Sequence, residues 1–292
     1  GIVLSHLYVA LAERSGEVPA RDALVESPIA AADLATLTER LWAARGESLV
    51  VCDSQDVAVQ VLVNSINHLL GNYGATVDIA RPSRQRQGSD VEILQLVNEL
   101  KTGKVSALFV YGTDLTHNLP GRESLTEAIS KVELVVSLAE REDDFASLAQ
   151  FVCPDHHPLE SWMDAEPVSG VVSLTQPMLQ PLGKTRSVLE SLARWSGREQ
   201  SAYDILRSSW EKNILPRADT KAFRQFWDQS LHDGVVEVAP LAAKAGEFDA
   251  SVVSVISGTE QPGEYCLSLY SKIGLTDSRH AHNPWLQELP DP

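Results

Sequence analysis

The stretch Val105-Ser-Ala-Leu-Phe-Val-Tyr-Gly-Thr-Asp114 is an apolar run that ends in a tight turn. Its length and its β-branched and aromatic residues predict a strand over Val105–Tyr111, followed by a turn at Gly112-Thr-Asp114. Polar residues do not alternate with apolar ones along this run. That pattern is typical of a strand covered on both faces, as in a parallel sheet.

The segments on either side of this strand alternate between helical and strand-like patterns. The predicted helices are Ala31–Arg45, Asp56–Leu70, Val91–Leu100, Arg122–Lys131 and Asp143–Gln150, and the other predicted strands are Ser48–Cys52, Thr76–Ile79 and Glu133–Leu138. Strands separated by helices of this length imply right-handed βαβ units. We therefore expect an α/β fold with a doubly wound, Rossmann-like, mainly parallel sheet that carries helices on both faces.

After Leu182 the pattern changes. The predicted elements there are amphipathic helices at Thr185–Trp195, Ser201–Asn213 and Lys221–Leu231, strands at Ser251–Ile256 and Tyr265–Tyr270, and an irregular tail from Ser278. We therefore expect an N-terminal extension over 1–30, the α/β domain over 31–182, and a segment of helices and strands over 183–292.

The chain is strongly acidic, with a formal net charge of −16 at pH 7. Such a surface repels phosphate backbones and anionic lipid headgroups, so nucleic-acid binding is disfavoured. No apolar run approaches the roughly 20 residues that a membrane-spanning helix needs. The first residues lack the basic flank of a signal peptide, so we expect any export signal to lie outside this sequence.

The three cysteines, Cys52, Cys153 and Cys266, are far apart and odd in number. They form neither a disulfide framework nor the C-x-x-C spacing of a zinc or iron–sulfur site. Cys52 and Cys153 follow apolar residues, and we expect both to be small buried side chains. This chain is therefore expected to hold no cysteine-ligated cluster.

The common phosphate-binding loops are absent, since Cys52-Asp-Ser-Gln-Asp56 follows the first predicted strand. Asp53 or Ser54 is predicted to cap the next helix. In an open parallel sheet, ligands bind at the carboxyl ends of the strands. Asp53, the turn Gly112-Thr113-Asp114 and Ser137 occupy such ends, so any ligand is expected there.

The densest polar cluster is Asp155-His-His-Pro-Leu-Glu-Ser-Trp-Met-Asp-Ala-Glu166, whose residue types suit zinc or iron. However, Pro158 disfavours helical geometry at His157, so His156 and Glu160 are not expected to share a helix face. In an extended segment, His156 and His157 point to opposite sides. The pattern favours a structural hydrogen-bonding corner over a metal site.

A second histidine pair, His280 and His282, has strand-like i, i+2 spacing. Asn283-Pro284 beside it favours a turn, and no third ligand is evident. The sequence also lacks the G-x-S-x-G elbow of serine hydrolases.

Several motifs occur in a definite order along the chain. They are Ser48–Asp53, Ser65–Asn67, Leu70–Val77, Ala107–Thr113, Val135–Leu138, Phe151–Trp162, Asp164–Pro167, Gln176–Leu182 and Arg279–Pro292. In this order they resemble the third domain of the molybdopterin oxidoreductase superfamily. The match covers about half of the chain, and the cluster motif, the metal ligand and the C-terminal domain of that family would lie outside it.

The segment Phe151–Pro167 is most similar to one branch, the large iron–sulfur subunit of alternative complex III, a bacterial quinol-oxidising membrane complex. The molybdopterin-like domain of that branch carries no molybdenum cofactor, and its iron–sulfur clusters lie in a separate region. Members that bind the cofactor usually have G-x-N-P where this chain has Gly112-Thr-Asp-Leu115. They have threonine where it has Phe145, and aspartate where it has Gln150. These departures imply that the dinucleotide is lost.

The resemblance implies a non-catalytic scaffold domain that partners other subunits of a membrane-bound respiratory complex, without nucleic acid or direct membrane insertion. It would be bacterial and peripheral to the cytoplasmic membrane on the periplasmic side, with iron–sulfur clusters in other parts of the subunit. The implied site is a vestigial cofactor site without catalytic or metal-ligating residues, made of Asp53, Ser54, Gly112, Thr113, Asp114, Ser137 and Glu160.

Two alternatives remain open. One is a fragment of an active oxidoreductase that binds molybdopterin guanine dinucleotide. The other is a stand-alone metal-dependent hydrolase that uses His156, His157 and Glu160.

Overall fold

The computed structural model describes residues 1–19, 24–54, 56–85, 87–241, 253–254, 272, 274–275 and 280–290. The chain divides into two compact units, one built on Gly1–Pro82 and the other on Ser83–Pro240. The domain boundaries expected after residues 30 and 182 stay predictions.

The first unit is helical in its described part. Its helices are α1 (Ile2–Ser15), α2 (Ala31–Ala43) and α3 (Val57–Leu69). Leu7 and Leu11 of α1 pack with Ile66 and Leu70 in one core cluster. The predictions of α2 and α3 are confirmed, whereas α1 lies in the segment expected only as an extension.

The strand predicted at Ser48–Cys52 is wrong, because this segment forms no strand in the described structure. The side chain of Asn67 takes the place of a neighbouring strand. Its Nδ2 donates to the carbonyl of Val50 at 2.7 Å, and its Oδ1 accepts from the Val50 amide at 3.0 Å. The side chain of Val51 is 76% exposed, so the apolar run is not covered on both sides.

The strand predicted at Thr76–Ile79 is also wrong. The carbonyl of Asn72 accepts from the amides of Ala75, Thr76 and Val77, which closes the chain into a tight loop. Gly71, with φ +65°, adopts the left-handed conformation that turns the chain out of α3.

The second unit contains the predicted α/β arrangement. Its first elements are α4 (Asp90–Lys101), β1 (Ala107–Val110), α5 (Leu115–Asn118), α6 (Arg122–Ile129), β2 (Leu134–Ser137), a 3₁₀ turn (Ala146–Leu148) and β3 (Phe151–Val152). The three strands are parallel with β2 in the centre. The prediction of an α/β fold with a parallel sheet is therefore confirmed.

The core of this sheet lies beneath α4 and α6. Leu108 and Val110 of β1 pack there with Ile129 of α6. On the other side of β1, Phe109 is 48% exposed and lies against Trp195, with ring centroids 5.8 Å apart.

The helix predicted at Asp143–Gln150 is reduced to the 3₁₀ turn at Ala146–Leu148. Asp143 Oδ1 accepts from the Ala146 amide at 2.7 Å and begins the turn. Ala149 is already extended, since the chain must enter β3 two residues later.

A second sheet was not predicted. It is antiparallel, with order β4 (Met163–Val168), β5 (Val171–Thr175) and β6 (Val235–Glu237). Its core includes Val172, Leu174, Trp210 and Trp227.

The helices predicted after Leu182 are confirmed as α7 (Val188–Trp195), α8 (Ala202–Ser209) and α9 (Phe223–Asp233). After α8 the same helical run continues as a π-helix at Trp210–Ile214 and a 3₁₀ turn at Leu215–Arg217. Pro216 has no amide proton to donate, so an α-helix could not continue through it unbroken.

The predicted strand Tyr265–Tyr270 and all but two residues of Ser251–Ile256 lie outside the described residues. The tail is less irregular than expected, because Pro284–Glu288 forms a short helix, α10. Asn283 begins it by accepting from the Trp285 amide, with Pro284 at the first helical position. Among the described helices, none has the length and apolar character needed to cross a membrane.

Candidate functional site

The carboxyl end of β1 is a self-contained turn. Gly112 has φ +69°, and Asp114 Oδ1 accepts from the Thr116 amide at 2.9 Å, the Thr116 hydroxyl at 2.7 Å and the His117 amide at 3.0 Å. Thr113 Oγ1 accepts from Asn118 Nδ2 at 3.0 Å. Asp114 and Thr113 therefore serve as the N-cap and the closing contact of α5.

The carboxyl end of β2 lies beside this turn, as expected for parallel strands. The amide of Leu138 donates to the Val110 carbonyl at 2.9 Å. Ser137 is buried, and its hydroxyl accepts from the Ala139 amide at 3.3 Å. Phe145 is fully buried and belongs to the core cluster of this sheet, so a bulky ring fills this position.

Two carboxylates meet at this sheet edge. The pKa of Asp143 is raised, first by burial and further by the nearby Asp114 carboxylate, while the Ala146 amide opposes the shift. The Asp114 carboxylate contributes to the raised pKa of Asp143, and the same negative charge is unfavourable for a phosphate at this edge. The sequence prediction therefore located Gly112, Thr113, Asp114 and Ser137 together, but in surroundings unsuited to an anionic ligand.

Asp53 and Ser54 lie in the first unit, before α3. The prediction that either caps this helix is wrong, because Asp56 is the N-cap and accepts from the Ala58 amide at 2.8 Å. Ser54 Oγ instead accepts from the Asp56 amide at 3.2 Å. Gln60 Nε2 donates to the Ser54 carbonyl at 2.6 Å, which ties this segment to the helix.

The polar cluster at 155–166 forms what we call the acidic corner, defined by Asp155, Glu160, Asp164 and Glu166. Asp155 is 8% exposed, and its Oδ1 accepts from the His156 amide and from the Val188 amide, each at 2.8 Å. Val188 is the first residue of α7, and Ser187 caps this helix by accepting from the Glu190 amide. Asp155 thus attaches the start of α7 to the corner.

Glu160 holds together two backbone segments. Its Oε2 accepts from the His157 amide at 3.2 Å and its Oε1 from the Leu182 amide at 3.0 Å. The Leu182 amide is the main cause of its lowered pKa, with the His157 amide and the two neighbouring histidines adding to it. The carboxylate is therefore held in its charged form as a structural acceptor.

The histidines of the corner have separate partners. His157 is extended, with ψ 148°, as Pro158 after it requires, and its Nδ1 accepts from the Leu159 amide at 3.2 Å. His156 Nδ1 lies 2.6 Å from the hydroxyl of Thr185. Within the described residues, no group of three or more His, Cys, Asp or Glu side chains is arranged to hold a metal ion.

Asp164 and Glu166 lie on the same face of β4, and each binds one end of the helical run after α8. Asp164 Oδ2 accepts from Trp210 Nε1 at 2.8 Å. Glu166 Oε2 accepts from Arg217 Nη1 at 3.1 Å and from Arg84 Nη1 at 2.7 Å, and a second Arg217–Glu166 contact makes the pair bidentate.

Glu166 is almost enclosed, with its side chain 12% exposed and that of Arg217 13% exposed. Its Oε1 also accepts from the Gly170 amide at 2.7 Å. These donors, Arg217 first, lower the pKa of Glu166 against the opposing effect of burial. Sequence reasoning missed Arg84, Arg217 and Trp210, because nothing local marks a partner so distant along the chain.

The sequence also has three cysteines and a second histidine pair. Cys52 and Cys153 are half-buried free thiols rather than fully buried ones, and Cys266 lies outside the described residues. His280 and His282 have ring centroids 6.4 Å apart.

No family model matches the chain, and no curated protein matches it. Among solved structures, acetylene hydratase from Pelobacter acetylenicus is similar with 16% identity and a TM-score of 0.40. The similar region covers 49% of this chain and 20% of the acetylene hydratase chain, so this chain spans about a fifth of that protein.

Proposed function

We propose that this chain is a non-catalytic scaffold domain of an electron-transfer subunit related to the molybdopterin oxidoreductases, within a quinol-oxidising complex of the alternative complex III type. One observation carries the proposal. The four carboxylates of the acidic corner, in the segment that most resembles that branch, all act as acceptors that attach other parts of the chain. Side chains in these roles build a rigid support and are not presented to a substrate.

The carboxyl ends of β1 and β2 support the same proposal. A dinucleotide at this place would bring its pyrophosphate towards Asp114 and Asp143, and the pKa of Asp143 is already raised by burial and by the Asp114 carboxylate. Cofactor sites for phosphate instead use glycine-rich turns and helix N-termini with free amides. At α5, Asp114 occupies the first amides itself.

In this proposal the chain's partners are other subunits of a bacterial respiratory complex, with iron–sulfur clusters elsewhere in the subunit carrying the electrons. The location that fits is peripheral to the cytoplasmic membrane, on the periplasmic side. The chain's own task is to keep neighbouring subunits in register.

The test is to purify the intact complex that contains this chain and to measure its metals and extractable nucleotide. We expect iron without stoichiometric molybdenum, and no guanine nucleotide. Guanine nucleotide released in a one-to-one ratio would overturn the scaffold role and support the alternative of an active molybdopterin guanine dinucleotide enzyme.

A further inference from the structure

The loop Gln176–Arg186, between β5 and α7, exposes an apolar surface. Met178 is 79% exposed and Leu182 is 88% exposed, with Leu179 at 50%. Leu159 of the acidic corner, 44% exposed, is hydrogen-bonded to the same loop. Large apolar side chains gathered at one exposed place mark an interaction surface more often than scattered single ones do.

This apolar loop is fixed in place by hydrogen bonds. The carbonyl of Leu159 accepts from the amides of Met178 and Leu179 at 2.8 and 3.1 Å. Glu160 holds the Leu182 amide, and the Thr185 hydroxyl contacts His156. A loop that is ordered before it binds loses little conformational entropy on binding, which favours recognition.

The charge of the loop is opposite to that of the chain. The sequence Gln-Pro-Met-Leu-Gln-Pro-Leu-Gly-Lys-Thr-Arg over 176–186 has two cations and no acid, in a chain of net charge −16. Lys184 and Arg186 are both exposed, and no carboxylate of the described residues forms an ion pair with either. Glu160 is the acid that contacts this loop, and its carboxylate already accepts from the amides of His157 and Leu182.

We propose that the loop Gln176–Arg186, with Leu159, is the docking surface for a segment of a partner subunit that carries both acidic and apolar side chains. The inference rests on the proposed scaffold role only in requiring that a partner subunit exists. The apolar residues would be buried beneath the partner, and Lys184 and Arg186 would face its carboxylates.

The charge of the loop and of the whole chain favours one of three possible binding partners. An anionic membrane would meet two cations on the loop but would be repelled by the rest of the protein, since the whole chain has a net charge of −16. A second copy of the chain would bring two such charges together, which opposes self-association. A separate segment with acidic and apolar side chains would pair with the two cations and cover the apolar side chains of the loop. Because such a segment is small, it would bring little negative charge near the rest of the chain.

The first measurement is photo-crosslinking in the intact complex, with benzoylphenylalanine in place of Met178. We expect one cross-linked peptide from another subunit, containing Asp or Glu next to apolar residues. Benzoylphenylalanine in place of Val91, which is 76% exposed on α4, is the matched control and should not capture that peptide. Cross-links to lipid, to a second copy or to a segment without acids, or no cross-link at all, would each overturn the proposal.

The second measurement is calorimetric binding of the captured peptide, made synthetically, to the full chain. Met178→Ser with Leu182→Ser should weaken binding about tenfold or more, because two apolar side chains no longer become buried. Lys184→Glu with Arg186→Glu should weaken it similarly and reduce its dependence on salt. The control pair Lys104→Glu with Arg141→Glu makes the same change in net charge away from the loop, and an equal loss there would refute the docking surface.

The two proposals fail in different ways. Guanine nucleotide in the purified complex would refute the non-catalytic scaffold and leave the docking results standing. If the complex contains iron without molybdenum or guanine nucleotide, but position 178 cross-links to no acidic peptide, only the docking surface would be refuted.

Discussion

Two polar regions of the second unit reach their stability in different ways. At the carboxyl end of β1, the side-chain carboxylate of Asp114 accepts from residues two and three positions further along the chain. In the acidic corner, Asp155 reaches 33 residues along the chain, Asp164 reaches 46 and Glu166 reaches 51. The first region completes a local turn, whereas the second joins distant segments.

The comparison of these two regions shows that neither the position of polar residues nor their composition is enough to identify a binding site. The end of β1 has the position of a ligand site, yet its polar groups are used within one turn. The acidic corner has the composition of a metal site, yet its carboxylates hold helices and loops. If this is correct, substitutions in the corner should destabilise the whole unit, and substitutions at the strand end should act locally.

The largest effect is expected for Glu166→Gln. The substitution leaves the guanidinium groups of Arg217 and Arg84 beside a neutral amide in a nearly enclosed place. Removing one partner of a buried ion pair lowers the free energy of unfolding by about 3 kcal/mol, the lower end of the usual range. Urea denaturation would measure it. The exposed helix pair of Glu127 and Lys131 gives the control, since solvent screens such a pair and Glu127→Gln should leave the urea midpoint almost unchanged.

The same variant has a defined pH dependence. Because the folded protein lowers the pKa of Glu166, its stabilising contribution is complete above the ordinary glutamate pKa of about 4.3. The contribution disappears as the pH falls through the lower folded value. The stability difference between the native chain and Glu166→Gln should therefore shrink in acid, and a constant difference down to pH about 2 would contradict the ion cluster.

Asp155→Ala is expected to cost about 2 kcal/mol, because it removes a nearly buried acceptor of two backbone amides, one of them at the start of α7. Ser89→Ala removes the N-cap of α4, which has one long bond of 3.3 Å, and should cost about 0.5–1 kcal/mol. Equal losses in the two variants would mean that Asp155 is an ordinary cap and not a long-range attachment.

Asp114→Ala should cost about 1 kcal/mol, the usual value for an N-cap. Amide hydrogen exchange should become faster at Thr116 and His117, whose amides lose their acceptor, and stay unchanged in the antiparallel sheet. Faster exchange across both sheets would show that this turn is not local and would remove the contrast between the two regions.

The smallest effect, of opposite sign, is expected for Asp143→Asn. Burial and Asp114 raise the pKa of Asp143 in the folded protein, so its charged form destabilises the fold at neutral pH. The variant should therefore be slightly more stable than the native chain at pH 7, since asparagine can still accept from the Ala146 amide. This advantage should shrink as the pH falls and the native carboxyl becomes protonated, which denaturation at several pH values would measure.

Periodicity predicted the strands β1 and β2 and the longer amphipathic helices well, because each has an apolar face or run of ordinary length; these helices are α2, α3, α4, α6, α7, α8 and α9. It failed at Asp143–Gln150, which forms only a 3₁₀ turn. Periodicity also failed at Ser48–Cys52, where the residue types suit a strand but the side chain of Asn67 supplies the hydrogen bonds. It also missed the antiparallel sheet, since Met163–Val168 contains Asp164, Glu166 and Pro167 and does not look like a strand.

The site residues show the same limit. Local rules correctly made His157 extended before Pro158. They could not identify Arg217 or Trp210 as partners, because an ion pair between residues 51 positions apart leaves no periodic signal. Only the fold brings these side chains to β4.

The π-helix at Trp210–Ile214 makes the tolerance of the corner to a change in chain length depend on where the change falls. An α-helix turns the chain by about 100° per residue, whereas a π turn fits one more residue into about the same rotation. Deleting one residue within Trp210–Ile214 should therefore close the wide turn to an α turn and leave Arg217 facing Glu166. Deleting one residue between Ile214 and Arg217 has no such extra residue to remove, so it should turn Arg217 away from Glu166 and be the more harmful of the two deletions.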